Sequence, residues 1–240
     1  MNVTGSTMDQ GALRASVARS ALFSQLSETE IALLFNAAML RRIQQGQVLF
    51  HQGDPPNYLF QIVGGLLRIT QINSDGEQIT LRIARPGDLC CVAALRRPAY
   101  PATAIAIKDA TVLVWRACTF LDLARRHPGI ADNVLSIVGD RAHEMLNRAT
   151  ELTGKSIEQR IAACLLRLSA QAGTESAEGI HIEFPITRFD LASMAGLTYF
   201  TVSRTLSAWQ KQGLVKTGRH RLTILKVAHI VGIAEPRVGR

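Results

Sequence analysis

The chain has 240 residues, 47% of them apolar and only 5% aromatic, with a formal charge of +8. That length admits one large domain or two small ones around an aliphatic core, and the basic excess favours an anionic partner. The absence of an apolar run of about 18 residues excludes a membrane-spanning helix. The four cysteines show neither a CxxC pair nor a Cys/His cluster, which argues against a structural zinc site and a disulfide framework.

In chain order, residues 1–20 are small and polar and carry no signal-peptide pattern, so a cytoplasmic chain with a flexible N-terminal tail is expected. Ser27, with Glu30 three residues on, forms a capping box and predicts a short helix over ETEIALLFNAAML. From about 40 to 116, β-rich runs (QVLFHQ, YLFQIV, LLRITQI, QITLRIA, ATAIAI, TVLVW) alternate with turn signals at 52–54, 64–65, 73–77 and 85–88. Many short strands at near-regular spacing predict an antiparallel sandwich or roll, with SDGE at 74–77 as a hairpin turn.

A short helix is expected to end before His127-Pro128, and a long one to begin near Gly129. In the long helix Leu135, Val138, Ala142, Met145, Ala149 and Leu152 recur at spacings of 3, 4, 3, 4 and 3. This is an a/d seam over nearly three heptads. A helix packed on its own domain would show the same stripe, but the length and the polar remaining faces point to a parallel dimer seam. Gly154 reads as a hinge. Beyond it, SIEQRIAACLLRLSAQAG is an amphipathic helix with Ile161, Cys164, Leu165 and Leu168 on one side, and IHIEFPIT is a short strand. RFDLASMAG and TYFTVSRTLSAWQKQG are two further helices. LVKTGRHRLTILK is two strands joined by a basic turn, and VAHIVGIA is a last helix. Helix, strand, two helices and a hairpin are the order of a winged helix-turn-helix.

Positions in 188–207 have separate physical reasons. Ala192 is small where two helices cross, and Gly196 sits in the turn where positive φ is cheap. Leu191, Leu197, Val202 and Leu206 fill the core between the helices, and Thr198 is placed to cap the second one. Tyr199, Phe200, Thr201, Ser203 and Arg204 remain at the exposed N-terminal end, the end that enters the major groove. Seven basic residues between 188 and 226 stand against Asp190 alone, so DNA is the expected partner. Arg204 suits bidentate contact to guanine O6 and N7, Thr198, Thr201 and Ser203 suit phosphates, and Arg188, Lys216, Arg219, His220 and Arg221 suit the DNA backbone.

From about 20 to 235 the chain resembles the Crp/Fnr family of bacterial transcription regulators. The resemblance rests on LFHQGD at 49–54, IVGGLLRI at 62–69, SDGEQITL at 74–81, PGDLC at 86–90, the long helix and GLTYFTVSRTLSAWQKQGLV at 196–215. It implies an α+β chain: an N-terminal antiparallel β-roll of the double-stranded β-helix or jelly-roll type over 21–128, a dimerisation helix over 129–154 and a winged helix-turn-helix over 155–240. It also implies a homodimer on a palindromic promoter site, an effector acting on the β-roll, and contact with RNA polymerase. PATA at 101–104 and TVSRTLSAW at 201–209 most resemble the branch that responds to nitrogen oxides.

The chain departs from the family pattern in informative places. The recognition helix of many members has a Glu, two residues, Ser or Gly, then Arg, and only Ser203-Arg204 survives here. Phe200 replaces the Glu; it either meets a thymine methyl or packs inside the domain. The cAMP-binding members carry a Gly-Glu-Leu segment and an Arg-Ser pair. Here those places hold Cys90-Cys91-Val92-Ala93-Ala94 and Tyr100-Pro101-Ala102-Thr103-Ala104, with Arg96 and Arg97 out of register, so cAMP is not the expected effector. Cys90, Cys91, Val92, Ala102 and Thr103 are the candidate pocket residues. The N-terminal iron–sulfur cysteine cluster of the oxygen-sensing members is not expected, because the first cysteine is Cys90. No cofactor is assigned. Haem enters only through Cys91, His51 or His143 as axial ligands, and the vicinal cysteines are either a thiol switch or apolar filler. An enzyme on a β-roll would need a His/Glu metal set in 40–116, where His51 is the only histidine, so a non-catalytic chain without a metal site is expected.

Overall fold

In the computed structural model, residues 14, 17–182, 184–218 and 221–235 are described. Ser27 accepts from the Glu30 N–H and the Glu30 carboxylate accepts from the Ser27 N–H at 2.9 Å, which starts α1 (Glu28–Asn36). The helix stops short of the expected Leu40. Met39 and Leu40 instead pair with Val114 and Leu113 and open strand β1 (Met39–Ile43). The expected tail is also shorter than residue 20, because Val17 is buried and the Gln61 amide donates to Ser20 Oγ. Residues 1–13, 15 and 16 of that tail lie outside the described residues.

Strands β2 (Val48–Phe50), β3 (Tyr58–Ile72), β4 (Gln78–Ala84), β5 (Leu89–Cys90) and β6 (Thr103–Arg116) complete a six-stranded antiparallel β-roll. Its order is β1-β6-β3-β4, with β2 also on β6 and β5 also on β3. Gly64-Gly65, expected as a turn, lies inside β3, where the register against β6 shifts instead. Gly65 has φ +80°, and a Cβ there would sit 2.1 Å from the Asp109 carbonyl oxygen. The pair therefore bends one long strand rather than ending it. ATAIAI and TVLVW likewise merge into β6, because Lys108 and Ala110 keep pairing with Leu66 and Ile43. The expected hairpin at SDGE is present: Asn73 Oδ1 accepts from the Asp75 and Glu77 N–H groups at 3.0 and 2.8 Å.

Helices α2 (Ala117–Arg126) and α3 (Pro128–Gly154) follow, with Pro128 at the first helical position where its missing N–H costs nothing. The start of α3 is anchored. Ile130 is buried with Trp115 and Phe120, and the Asn133 amide donates to the carbonyls of Leu22 and Ser24 at 2.9 and 2.7 Å. Further along, α3 has two stripes. Arg141, Glu144, Arg148 and Glu151 are half-buried, while the predicted seam is exposed except at half-buried Val138, with Leu135, Met145 and Leu152 at 71, 63 and 49%.

A second capping box, Ser156 with Gln159, starts α4 (Ile157–Ala172), whose Ile161, Cys164, Leu165 and Leu168 are buried as the periodicity requires. Where one strand was expected, a hairpin forms from β7 (Gly173–Ser176) and β8 (Gly179–Ile182). Phe184 and Ile186 are buried beyond it, and Glu183 lies outside the described residues. Then come α5 (Arg188–Ala195), α6 (Tyr199–Lys211), β9 (Val215–Gly218), β10 (Arg221–Ile224) and α7 (Val227–Ala234), the four short strands ordered β7-β8-β10-β9. Leu66, Ile83 and Ile107 of the roll share one buried cluster with Leu191, Val202, Leu206 and Trp209 of the winged helix.

Candidate nucleic-acid interface and ligand pocket

The helix-turn-helix is fixed at each corner. Thr187 Oγ1 accepts from the Asp190 N–H at 3.0 Å and the Asp190 carboxylate accepts from the Thr187 N–H at 2.9 Å, so α5 has a reciprocal cap. Gly196 ends α5 in the left-handed region at φ +62°. The Arg160 guanidinium donates to the Ala195 carbonyl at 2.9 and 2.7 Å and also to that of Gly196, satisfying the carbonyls that a helix end leaves open. Thr198 Oγ1 accepts from the Thr201 N–H at 3.2 Å and caps α6. This engages both hydroxyls, because Thr198 Oγ1 and Thr201 Oγ1 also share a hydrogen bond at 2.9 Å.

Inward, α6 buries Val202, Leu206 and Trp209 at 0, 1 and 2% exposure. Outward it presents Tyr199, Phe200 and Arg204. Phe200 is 82% exposed and meets only the Tyr199 ring, edge to face at 5.8 Å, so it does not pack inside the domain. The Arg188 guanidinium donates to Ser203 Oγ, which ties the start of α5 to the outer face of α6. Lys216 pairs with Glu178 of the β7–β8 turn at 2.8 Å, and Arg221 is exposed on the wing. Arg219 and His220 lie outside the described residues. Gln210 Oε1 accepts from the Thr217 N–H at 3.1 Å, which fixes the wing to the end of α6.

Phe189 was not singled out from the sequence. It is 53% exposed and lines a groove of about 220 Å³ with Arg188, Tyr199 and Arg221. Its signal was available: an apolar side chain between Arg188 and Asp190, off the stripe formed by Leu191 and Ala192.

A cavity of about 310 Å³ lies between the roll and α3. Of the candidate pocket residues, Cys90, Cys91, Val92 and Ala102 line this cavity and Thr103 does not. Thr103 Oγ1 accepts from the Gln52 N–H at 2.9 Å, and neighbours along a strand point to opposite faces. Ile69 and Leu81 add to the apolar wall, and Val138, Ala142 and Met145 of the predicted seam form the α3 side. The pocket's charges are paired. Arg82 holds Asp88 at 2.7 Å, while Glu144 holds Arg141 at 2.7 Å and Arg148 at 3.1 Å. Burial alone would raise the Glu144 carboxyl, but Arg148 and Arg141 outweigh it and hold the group below the usual carboxylate range. The pairs within this inward stripe follow i,i+3 and i,i+4 spacing, but the contact of Arg141 with Asp88 of the roll at 3.7 Å does not.

Burial raises both cysteine thiols well above their ordinary range, most directly for Cys90, which is 1% exposed. A reactive thiol needs the opposite shift, so burial favours apolar lining over a poised thiolate for this pair. Cys91 adopts φ +68°, unusual for a residue with a side chain, at the edge of the pocket. Neither His51 nor His143 lines that pocket, so the three residues considered as haem ligands do not come together there. No group of three metal-ligating side chains occurs among the described residues.

Comparison with known proteins agrees with this architecture. The cyclic nucleotide-binding domain family matches residues 40–127, and the Crp-like helix-turn-helix domain family matches residues 159–230. The chain is 29% identical over 216 residues to the cyclic AMP receptor protein of Thermus thermophilus, covering 90% of this chain and 97% of that one. It is 28% identical to the anaerobic regulatory protein of Haemophilus influenzae, covering 83% and 78%. In fold it is similar to FixK2 from Bradyrhizobium japonicum, with a TM-score of 0.72, 21% identity and coverage of 84% and 99%. A cyclic-nucleotide-binding-type roll, a long helix and a Crp-like helix-turn-helix, in that order, place this chain in the Crp/Fnr family of DNA-binding transcription regulators.

Proposed function

We propose that the protein acts as a homodimer on a palindromic promoter site, with Arg204 reading a guanine in each half-site and an effector other than cAMP in the pocket. The observation that carries the DNA-reading part is the division of α6: Val202, Leu206 and Trp209 are buried, while Tyr199, Phe200 and Arg204 stand clear on the opposite side. Arg204 has the planar fork that matches guanine O6 and N7, and Phe200 offers an apolar face to a thymine methyl. Arg188, Lys216 and Arg221 flank this face and suit the phosphates on either side.

The dimer reading is supported by the apolar stripe Leu135, Val138, Ala142, Met145, Ala149 and Leu152, of which all but the half-buried Val138 are exposed among the described residues. A second α3 laid along it would roof the pocket, because Val138, Ala142 and Met145 belong to both. The pocket wall is mostly apolar and its arginines already face Asp88 and Glu144, which argues for an effector poorer in negative charge than a cyclic phosphate. RNA polymerase is the expected partner of the DNA-bound dimer.

Selection of bound duplexes from a random library tests the reading. Wild type should enrich an inverted repeat with one invariant G·C pair per half-site. Arg204→Ala should lose discrimination at that pair, by about 1–3 kcal/mol. Equal enrichment of all four bases by wild type at every position would refute sequence-specific recognition.

A further inference from the structure

The β3–β4 hairpin has two working faces. Cross-strand partners share a face of a sheet. Ile69 pairs with Arg82, and both line the ligand pocket together with Leu81. Arg68 pairs with Ile83 and Thr70 with Thr80, on the other face. That face carries the winged helix: Leu66 and Ile83 join its core cluster, and Thr80 Oγ1 donates to Asp190 Oδ1 at 2.9 Å. Arg68 reaches Asp190 Oδ2 at 3.5 Å and donates to the Pro185 carbonyl at 3.1 Å. Arg85, just past β4, donates to the Ala170 carbonyl at 2.8 Å.

Asp190 is only 5% exposed, and Thr80 4%. The same carboxylate that these two roll residues hold also caps α5 through Thr187. Two residues before it, Arg188 donates to Ser203 on the outer face of α6. Polar contacts therefore tie the roll to the first turn of α5, and Arg188 on that same turn ties it to the recognition helix. The arrangement leaves Tyr199, Phe200 and Arg204 exposed, so docking on the roll does not cover the reading face.

Resting on the regulator reading above, we propose that Arg68 and Thr80 are positioning residues for DNA recognition. From the β-roll they hold Asp190, and through it they set the orientation of the helix-turn-helix toward DNA. Two reading heads must meet successive major grooves about 34 Å apart, so a head held at a set angle binds more tightly than one free to swivel about residues 154–156.

The test uses the full-length protein and a duplex that wild type has selected. Active concentration is first fixed by stoichiometric titration, so that loss of folded protein is not counted as loss of affinity. Thr80→Val and Arg68→Met should each weaken specific binding about fivefold or more. Thr80→Ser, which keeps the hydroxyl, should bind as wild type does, and binding to an unrelated duplex should not change. Thr80→Val alone suffices if Arg68→Met does not fold. Wild-type or tighter affinity in the folded variants, alongside an Arg204→Ala that loses discrimination, would overturn the positioning role while leaving the regulator reading standing. A wild type that selects no duplex at all would sink both.

Discussion

Phe200 shows what a single side chain decides here. An aromatic ring that is 82% exposed, held only against Tyr199, has no folding role to explain it. Large apolar groups left in water are informative when they cluster: Tyr199 lies against Phe200, and exposed Phe189 lines a groove with Tyr199. Phe200→Ala should leave the melting temperature near that of wild type while flattening one base preference next to the guanine by about 1 kcal/mol. A large loss of stability with unchanged base preference would return the ring to the core. The sequence left both places open for Phe200, because a first-turn position on a helix can face either way until the helix is docked.

At the scale of elements, two glycines separate strand-bending from turn-making. Gly76 has φ +79° with open space around its missing Cβ, whereas Gly65 combines φ +80° with a carbonyl oxygen where the Cβ would lie. Gly76→Ala should therefore cost about 1 kcal/mol, the backbone penalty alone, and Gly65→Ala about 2–4 kcal/mol, read from denaturant unfolding. Similar costs at both sites would show that the roll relaxes around Gly65. The long helix makes the other element-scale prediction. Met145 is 63% exposed on the proposed seam, so Met145→Asp should weaken self-association about tenfold or more in sedimentation velocity. A variant that sediments as wild type does at all concentrations would refute the seam.

For the whole molecule, the pocket, the α3 stripe and the winged helix are mechanically connected. Val138, Ala142 and Met145 are pocket wall and predicted seam at once, and the β3–β4 hairpin is pocket wall on one face and docking floor on the other. A ligand that fits this cavity therefore touches both the proposed seam and the hairpin on which the winged helix rests. Adding cAMP at millimolar concentration should not raise the melting temperature. A ligand at about 100 times its Kd would add about 2.7 kcal/mol, a rise of several degrees for a chain this size. Such a rise would overturn the exclusion of cAMP.

The local elements were written in the sequence because their causes are local. The capping pair Ser27–Glu30, the left-handed Gly196 and the 3–4 stripe of α3 act within one or two turns of chain. The recognition helix was legible for the same reason: Thr198, Val202 and Arg204 divide its cap, core and outer face by spacing alone. What required tertiary structure was every pairing between distant segments. Gly64-Gly65 reads as a turn until β6 runs beside it, Arg68 and Thr80 are ordinary strand residues until Asp190 lies over them, and Arg141 of α3 gains Asp88 beside its own helix's Glu144 only once the roll is in place. A carboxylate's partner 110 residues away is set by how two domains dock, and neither periodicity nor composition carries that information.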